Sequence, residues 1–294
     1  MFCHGIRVGR ASILCKEAPL SRAARLPQAQ QDGMKKAGPE ETTLQKIARK
    51  TGIIVSRIES LGERYQARYL KRLFPLLDVD LVLDVGGNTG QFARFIRRKV
   101  GFTGRIVTFE PLPDLAAGLE AEAAGDGNWQ IVQAGVGDHE GQLEFNVMRS
   151  SELSSFLQPS SGDTARLAAI NQVKTTLSTR IVTIDAYLTE HAAELDHYSS
   201  IYLKLDVQGF EGQCLDGAHA SLDRISALQA ELSVVPIYEG VPPYHEVMRK
   251  IEKMGYYLSL VPPHNAAHFP EIIDFDCHFV SANRLRDLGV LSRG

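Results

Sequence analysis

Two rhythms of apolar positions alternate along this chain. From residue 81 onward, short apolar or β-branched runs take turns with longer segments whose apolar residues recur at helical spacing. The runs predict strands at 81–85, 105–109, 129–134, 143–147, 180–184, 200–207, 227–234, 256–261 and 274–280. The periodic segments predict helices at 91–99, 114–124, 186–194, 211–222 and 244–254. Upstream, Ile58, Leu61, Tyr65 and Tyr69 share a helical face, which predicts a helix across 40–74 that Pro75 ends. Strands alternating with helices predict an α/β fold of Rossmann-like form. Its central sheet is expected to be mostly parallel, with helices on both faces and an antiparallel edge made by the last strands.

One stretch breaks the alternation. Residues 149–178 are rich in Ser and Thr, lack a strong period, and are too long for an ordinary connection. They read as a lid or substrate loop, with Ser151, Ser154 and Ser155 beside the ligand. The chain thus divides into an extension (1–36), a helical lead-in (37–79), an α/β domain (80–284) and a short tail (285–294).

Composition narrows the function. With 294 residues, 44% of them hydrophobic, the chain can bury one large core. A net charge of −3 argues against a general nucleic-acid binder, which needs a basic face. No apolar run is long enough to predict a membrane span. Cys3, Cys15, Cys214 and Cys277 form no CxxC pair and have no metal-ligand spacing, so they read as free thiols in a reducing compartment, the cytoplasm. The first 36 residues are basic, carrying Arg7, Arg10, Lys16, Arg22, Arg25, Lys35 and Lys36 against Glu17 and Asp32. They read as a disordered or untranslated extension, with Met34 as an alternative start; an organellar targeting peptide has a similar composition.

The chemistry concentrates at the ends of predicted strands. After the first comes 84-DVGGNTG-90. A dinucleotide fingerprint opening at Gly86 needs glycines where Asn88 and Gln91 stand, which disfavours a nicotinamide-dependent oxidoreductase. Gly86 and Gly87 let the backbone turn and approach a ligand closely, and Gly90 allows close contact as the next helix begins. The amides of that helix start can receive a carboxylate. Asp84 can take a positively charged amino group, which suits S-adenosylmethionine better than a pyrophosphate. Glu110 ends the second strand, where a ribose diol is gripped in such sites. In 134-AGVGDHEG-141, the backbone at Gly135 can contact adenine, with Asp138 accepting from its exocyclic amine. In 202-YLKLDVQGFEG-212, Lys204 and Asp206 share one face of an otherwise apolar strand, a costly arrangement unless partnered or functional. Glu211 follows at a helix start, and Glu231 lies inside the strand 227–234. Such charges make a base, a metal site or an ion-pair network.

These segments resemble the FkbM-type family of S-adenosylmethionine-dependent methyltransferases. The likeness rests on 84-DVGGNTG-90 with Gln91 and Phe92, on Phe109-Glu110-Pro111, on 135-GVGD-138, on 151-SELSSFL-157 and above all on 204-KLDVQGFEGQCLDGA-218. Glu231 and 255-GYYL-258 fit the closing pattern, so the resemblance spans roughly residues 80–282. Gly87 departs from the usual DxGANxG loop, which has alanine there. The resemblance implies methyl transfer to a hydroxyl of a small molecule, a sugar or other secondary metabolite. Asp206 is the candidate base for that hydroxyl, assisted by Lys204 or by a divalent ion such as Mg²⁺ on Asp206, Glu211 and Glu231. His219 and His245 are rival bases. A non-catalytic S-adenosylmethionine-binding partner protein is the alternative from another class. The acceptor and the oligomeric state are not legible.

Overall fold

The computed structural model describes residues 61–160, 172–263 and 271–292. The chain divides into two compact units, and all described residues belong to the second, Ser56–Gly294. The basic extension, Ile58 and most of the predicted 40–74 helix therefore lie outside the described residues.

Strands buried on both faces form the centre. β1 (Leu81–Val85) and β7 (Ile201–Leu205) are buried at every position and pair in parallel. Near-continuous apolar runs of this kind suit parallel strands covered by helices on both sides. Around them β2 (Arg105–Phe109), β3 (Trp129–Val132), β8 (Ile225–Ser233), β9 (Tyr256–Leu260) and β10 (Asp274–Ser281) complete a seven-stranded sheet of order β3-β2-β1-β7-β8-β10-β9. The five strands from β3 to β8 run parallel, and β10 runs antiparallel to both its neighbours. The last two strands thus make the antiparallel edge that was expected, with β10 the reversed strand and β9 outermost.

The helices divide between the two faces. One face is packed by α1 (Leu61–Leu76), α2 (Gln91–Phe95) and α3 (Pro113–Ala123), whose Leu70, Phe74, Ala93 and Leu119 cover Val82, Ile106 and Tyr202. The other is packed by α4 (Ile184–Glu190), α5 (Ala192–Leu195), α6 (Glu211–Asp216) and α7 (Tyr244–Lys253), over Leu83, Val85, Leu203 and Leu228. Thr183 caps α4 by accepting from the amide of Ala186 at 3.0 Å.

Several elements depart from the predicted boundaries. The segment predicted as one helix at 91–99 is a short α-helix continued by a π-turn, Ile96–Val100, which Gly101 closes in the left-handed conformation. Pro75 sits inside the last turn of α1 rather than ending it. The helix predicted at 211–222 stops at Asp216, with a 3₁₀ turn at His219–Ser221. A C-terminal helix, α8 (Ala282–Asp287), crosses the predicted domain–tail boundary.

The larger departure is a second sheet. β4 (Gly135–Val136), β5 (Gly141–Met148) and β6 (Val173–Val182) form it in the order β4-β6-β5, with β5 and β6 antiparallel. The predicted 143–147 and 180–184 strands belong here, and β6 reaches back into the segment expected to be irregular. Val173–Thr176 are exposed on both sides, so no alternation marks them.

Candidate active site

The carboxyl ends of β1, β2, β7 and β8 open on one cleft of about 460 Å³. This is where ligands sit in open α/β sheets. β10 enters the same edge by its first residues, because it runs the other way.

The turn after β1 forms the floor. Gly86 has φ of 80°, and a Cβ there would overlap the Asp206 carbonyl. A Cβ on Gly87 would overlap the Thr108 methyl. The Thr108 side chain on β2 thus fills the space beside Gly87. The amides of Gly86 and Gly87 donate to the Phe109 carbonyl at 3.1 and 3.0 Å, and Gly90 donates to Gly87 at 2.7 Å. These three amides hold the turn itself; the carboxylate-binding role expected at the helix start does not fall to them.

Glu110 lines the cleft just beyond β2. Its two oxygens accept from the amides of Asn88 at 2.6 Å and Leu112 at 2.9 Å, which fixes the carboxyl plane. Burial raises its pKa to about 7, against the pull of those two amides. Each oxygen keeps further acceptor capacity for hydroxyl groups.

Asp84 stands elsewhere than expected. It is fully buried and does not line the cleft. Its register partners are Thr108 on β2 and Lys204 on β7, and it bonds to both. The Thr108 hydroxyl donates at 3.2 Å, and the Lys204 ammonium lies 3.3 Å away. The Trp129 indole donates in turn to Thr108 at 2.9 Å. On the far side of Lys204, Gln229 and His278 occupy the next two register positions. A polar row therefore crosses the sheet under α1–α3. His278 is held by the Tyr202 hydroxyl at 2.7 Å and by Gln66 at 3.3 Å, and burial depresses its pKa to about 3.

Lys204 links this row to the cleft. Its ammonium donates to the Gly86 carbonyl at 2.9 Å, lies 3.4 Å from Asp206 Oδ2, and sits over the Phe92 ring at 5.8 Å. Burial alone would lower its pKa, but Asp206 and Asp84 outweigh burial and hold it above its ordinary value. Lys204 is therefore a standing cation, not a proton acceptor. Asp206 is the exposed member of the triad, with 39% of its side chain accessible.

The remaining predicted residues separate. Ser151 and Ser154 line the cleft, and Ser151 donates to Asn88 at 3.3 Å. Ser155 is fully buried and donates to the Gln208 carbonyl instead. Gly135 lines the cleft, whereas Asp138 does not and is bonded to His139 at 2.6 Å. Glu211 does not line it either; one of its oxygens accepts from the amides of Val207 and Gly209 at 3.1 and 3.3 Å. Glu231 lines the wall and accepts from Gln208 at 2.6 Å. Burial, then Asp206, Asp274 and Asp276, push its pKa well up. Among the described residues, no three His, Cys, Asp or Glu side chains gather as a metal site, so the set Asp206, Glu211 and Glu231 is not brought together as one.

Sequence reasoning missed Gln66, Gln208, Gln229 and Asp276, all of which line the cleft. Gln66 lay in a predicted helix without chemical pattern. Gln208 lies inside the 204–218 string, among acids whose charge is the stronger signal.

No curated protein matches the sequence. Among solved structures, a methyltransferase FkbM from Methylobacillus flagellatus KT is similar at 14% identity and a TM-score of 0.43, over 69% of this chain. The chain spans only 44% of that protein's length. An O-methyltransferase from Bacillus cereus in complex with SAH is similar at 11% identity and a TM-score of 0.41, over 82% of this chain and 98% of that one. A fibrillarin from Aeropyrum pernix with natively bound S-adenosyl-L-methionine is similar at 12% identity and a TM-score of 0.40, over 75% of this chain and 76% of that one. The model of the methyltransferase FkbM domain matches residues 84–258, more than half of the chain and the carboxyl ends of β1, β2, β7 and β8, and the chain belongs to the FkbM methyltransferase family.

Proposed function

We propose that the protein uses S-adenosylmethionine to methylate a hydroxyl oxygen of a polar small molecule, a sugar or other secondary metabolite. One observation carries this reading. Glu110 and the Lys204–Asp206 pair face the same cleft, one beyond β2 and the other beyond β7.

The residues present fit the cofactor. Glu110 offers a fixed carboxyl plane to the ribose hydroxyls. Leu112, Val136 and Phe156 line that half of the cleft with apolar surface suited to a base. A Cβ on Gly135 would overlap the Phe156 ring, so this wall is closely fitted. When bound, the cofactor supplies a methyl group already activated by its sulfonium.

The chain then has to position the acceptor and take its proton. Asp206 does the second. Its Oδ2 faces Lys204 and its Oδ1 accepts from Gln208 at 3.3 Å, so the carboxylate is aimed. A hydroxyl attacking the methyl group passes its proton to a free lone pair of this carboxylate. Lys204 holds its proton and supplies the neutralising charge beside it. Orientation provides much of the remaining rate. Gln66, Gln91 and Gln229 line the acceptor side and offer donors and acceptors that suit a hydroxyl-rich molecule.

The test is calorimetric titration of the full chain with S-adenosylhomocysteine, beside NAD⁺ and a Glu110→Ala variant. Micromolar binding, lost in the variant and absent for NAD⁺, is expected, and a screen of hydroxylated acceptors follows. Binding without turnover on any acceptor class would favour a non-catalytic binding partner. No binding by the folded protein would sink the reading.

A further inference from the structure

The turn that follows Asp206 is built around one residue in an unusual conformation. Gln208 has φ of 54°, in the left-handed region that a non-glycine residue seldom occupies. Its surroundings hold it there. Glu211 accepts from the amides on either side, at Val207 and Gly209. Ser155 donates to the Gln208 carbonyl at 2.8 Å. Backbone strain sustained by three hydrogen bonds to two neighbours at a site edge is a pointer to function.

The side chain explains why the turn is kept. Its two amide hydrogens point to two different acids: Asp206 Oδ1 at 3.3 Å and Glu231 Oε2 at 2.6 Å. The amide oxygen on the other side faces the Tyr238 hydroxyl at 3.3 Å. That hydroxyl also reaches the Leu153 carbonyl, in the segment that leads from Ser151 to Leu157. Its single hydrogen is shared between the two oxygens.

We propose that Gln208 is a positioning residue that stands between Asp206 and Glu231, aims the first, and is itself oriented by Tyr238 according to the docking of the 151–157 segment. This rests on the reading of Asp206 as the base. Without the amide, the two acids would face each other and share a proton. That proton would occupy the oxygens on which an acceptor hydroxyl depends. With the amide in place, Asp206 meets Lys204 on one side and a neutral donor on the other. The other titratable groups around Glu231 are Glu211 on α6 and Asp274 and Asp276 on β10, which disfavour its ionised form, the Lys204 ammonium on β7, which favours it, and the Tyr238 hydroxyl. Gln208 gives it a donor that favours that form.

The experiment follows the carboxyl carbon of Glu231 by ¹³C NMR in the labelled full chain, assigned with Glu231→Gln and titrated without ligand. In Gln208→Met, similar in shape but without donors, the Glu231 midpoint should rise by about one pH unit, because an ionised carboxyl loses its hydrogen bond. Tyr238→Phe should raise it by less. The double variant should show no more than the Gln208→Met shift, because Tyr238 acts through Gln208. If the methionine variant fails to fold, Gln208→Asn, which tolerates the left-handed backbone but is one methylene shorter, should give the same upward direction. A Glu231 midpoint unmoved by the Gln208 variants, or single shifts that add in full, would overturn the proposal. S-adenosylhomocysteine titration separates this from the wider reading. Loss of binding by the unmodified protein would remove the proposed function while leaving the Glu231 result to stand on its own.

Discussion

Lys204 and Asp84 occupy matched positions on adjacent parallel strands, and their side chains meet at 3.3 Å with no more than 6% of either accessible. Two charges so deep survive because they have each other, and because Thr108, Gly86 and Asp206 take up their remaining bonds. Through its bond to the Gly86 carbonyl, Lys204 also ties the glycine turn to β7. Lys204→Met should cost about 3–5 kcal/mol in urea unfolding, since it leaves Asp84 buried without a cation. Adding Asp84→Asn should return a good part of that loss. Two losses that simply add would show that the residues do not act as a pair.

On the proposed reading, Glu110 should make cofactor affinity depend on pH. Burial raises its pKa to about 7, while grip on two hydroxyls is best from the ionised form. Affinity for S-adenosylhomocysteine should therefore weaken by up to about tenfold per unit as the pH falls below 7, with proton release on binding near neutrality. Glu110→Gln should bind weakly and with a flat profile. The folding linkage has a definite sign. The folded pKa stands above the ordinary carboxyl value, so this contribution to stability is full below that value and is lost as pH rises through about 7. Glu211, also raised to about 7 by burial, adds a loss in the same window. Scanning calorimetry from pH 5 to 8 should show these contributions as a lower Tm at the alkaline end, recovered by saturating ligand.

The glycine at 87 and the threonine at 108 should behave as a matched set. Gly87→Ala alone places a methyl group onto the Thr108 methyl and should destabilise the turn by about 1–3 kcal/mol. Thr108→Ser removes that methyl and keeps the hydroxyl that Asp84 and Trp129 use. The double variant should regain most of the lost stability and S-adenosylhomocysteine affinity. No rescue would mean that the turn resists alanine for another reason.

Asp206→Asn tests the base. It keeps the side-chain shape and the facing Lys204, so ligand affinity should change by less than about threefold. Methyl transfer to a hydroxyl acceptor should fall by about 10²-fold or more. Equal losses of affinity and turnover would make the residue structural.

Much of the fold could be read from residue patterns, and the failures have physical causes. β1 and β7 were legible because every position is buried, so their apolar runs are unbroken apart from Asp84 and Lys204. The first half of β6 was not, because both its faces meet solvent. At the site, Glu110 and Asp206 stand where strand ends placed them. Asp84 depends on one fact that a single strand does not carry: parallel register puts it opposite Lys204, where it is fully buried and paired with that ammonium. Gln66, Gln208 and Gln229 gave no warning. An amide has no charge and no metal-ligand spacing, and its importance comes only from which acids the fold brings beside it.

The reversed course of β10 has one more consequence. A strand parallel to its neighbours would have turned its carboxyl end to the cleft and passed straight into the next loop. β10 instead arrives there with its first residues and then runs away, under His278 and Phe279, into the protein interior. Asp276 is thus a wall residue carried on a strand whose far end is rooted in the core. On the proposed reading, β1 and β2 carry the cofactor half of the site, while β8 and β10 carry the acceptor half. On that reading, substitutions at the start of β10 should alter acceptor choice while leaving Glu110 and the glycine turn untouched.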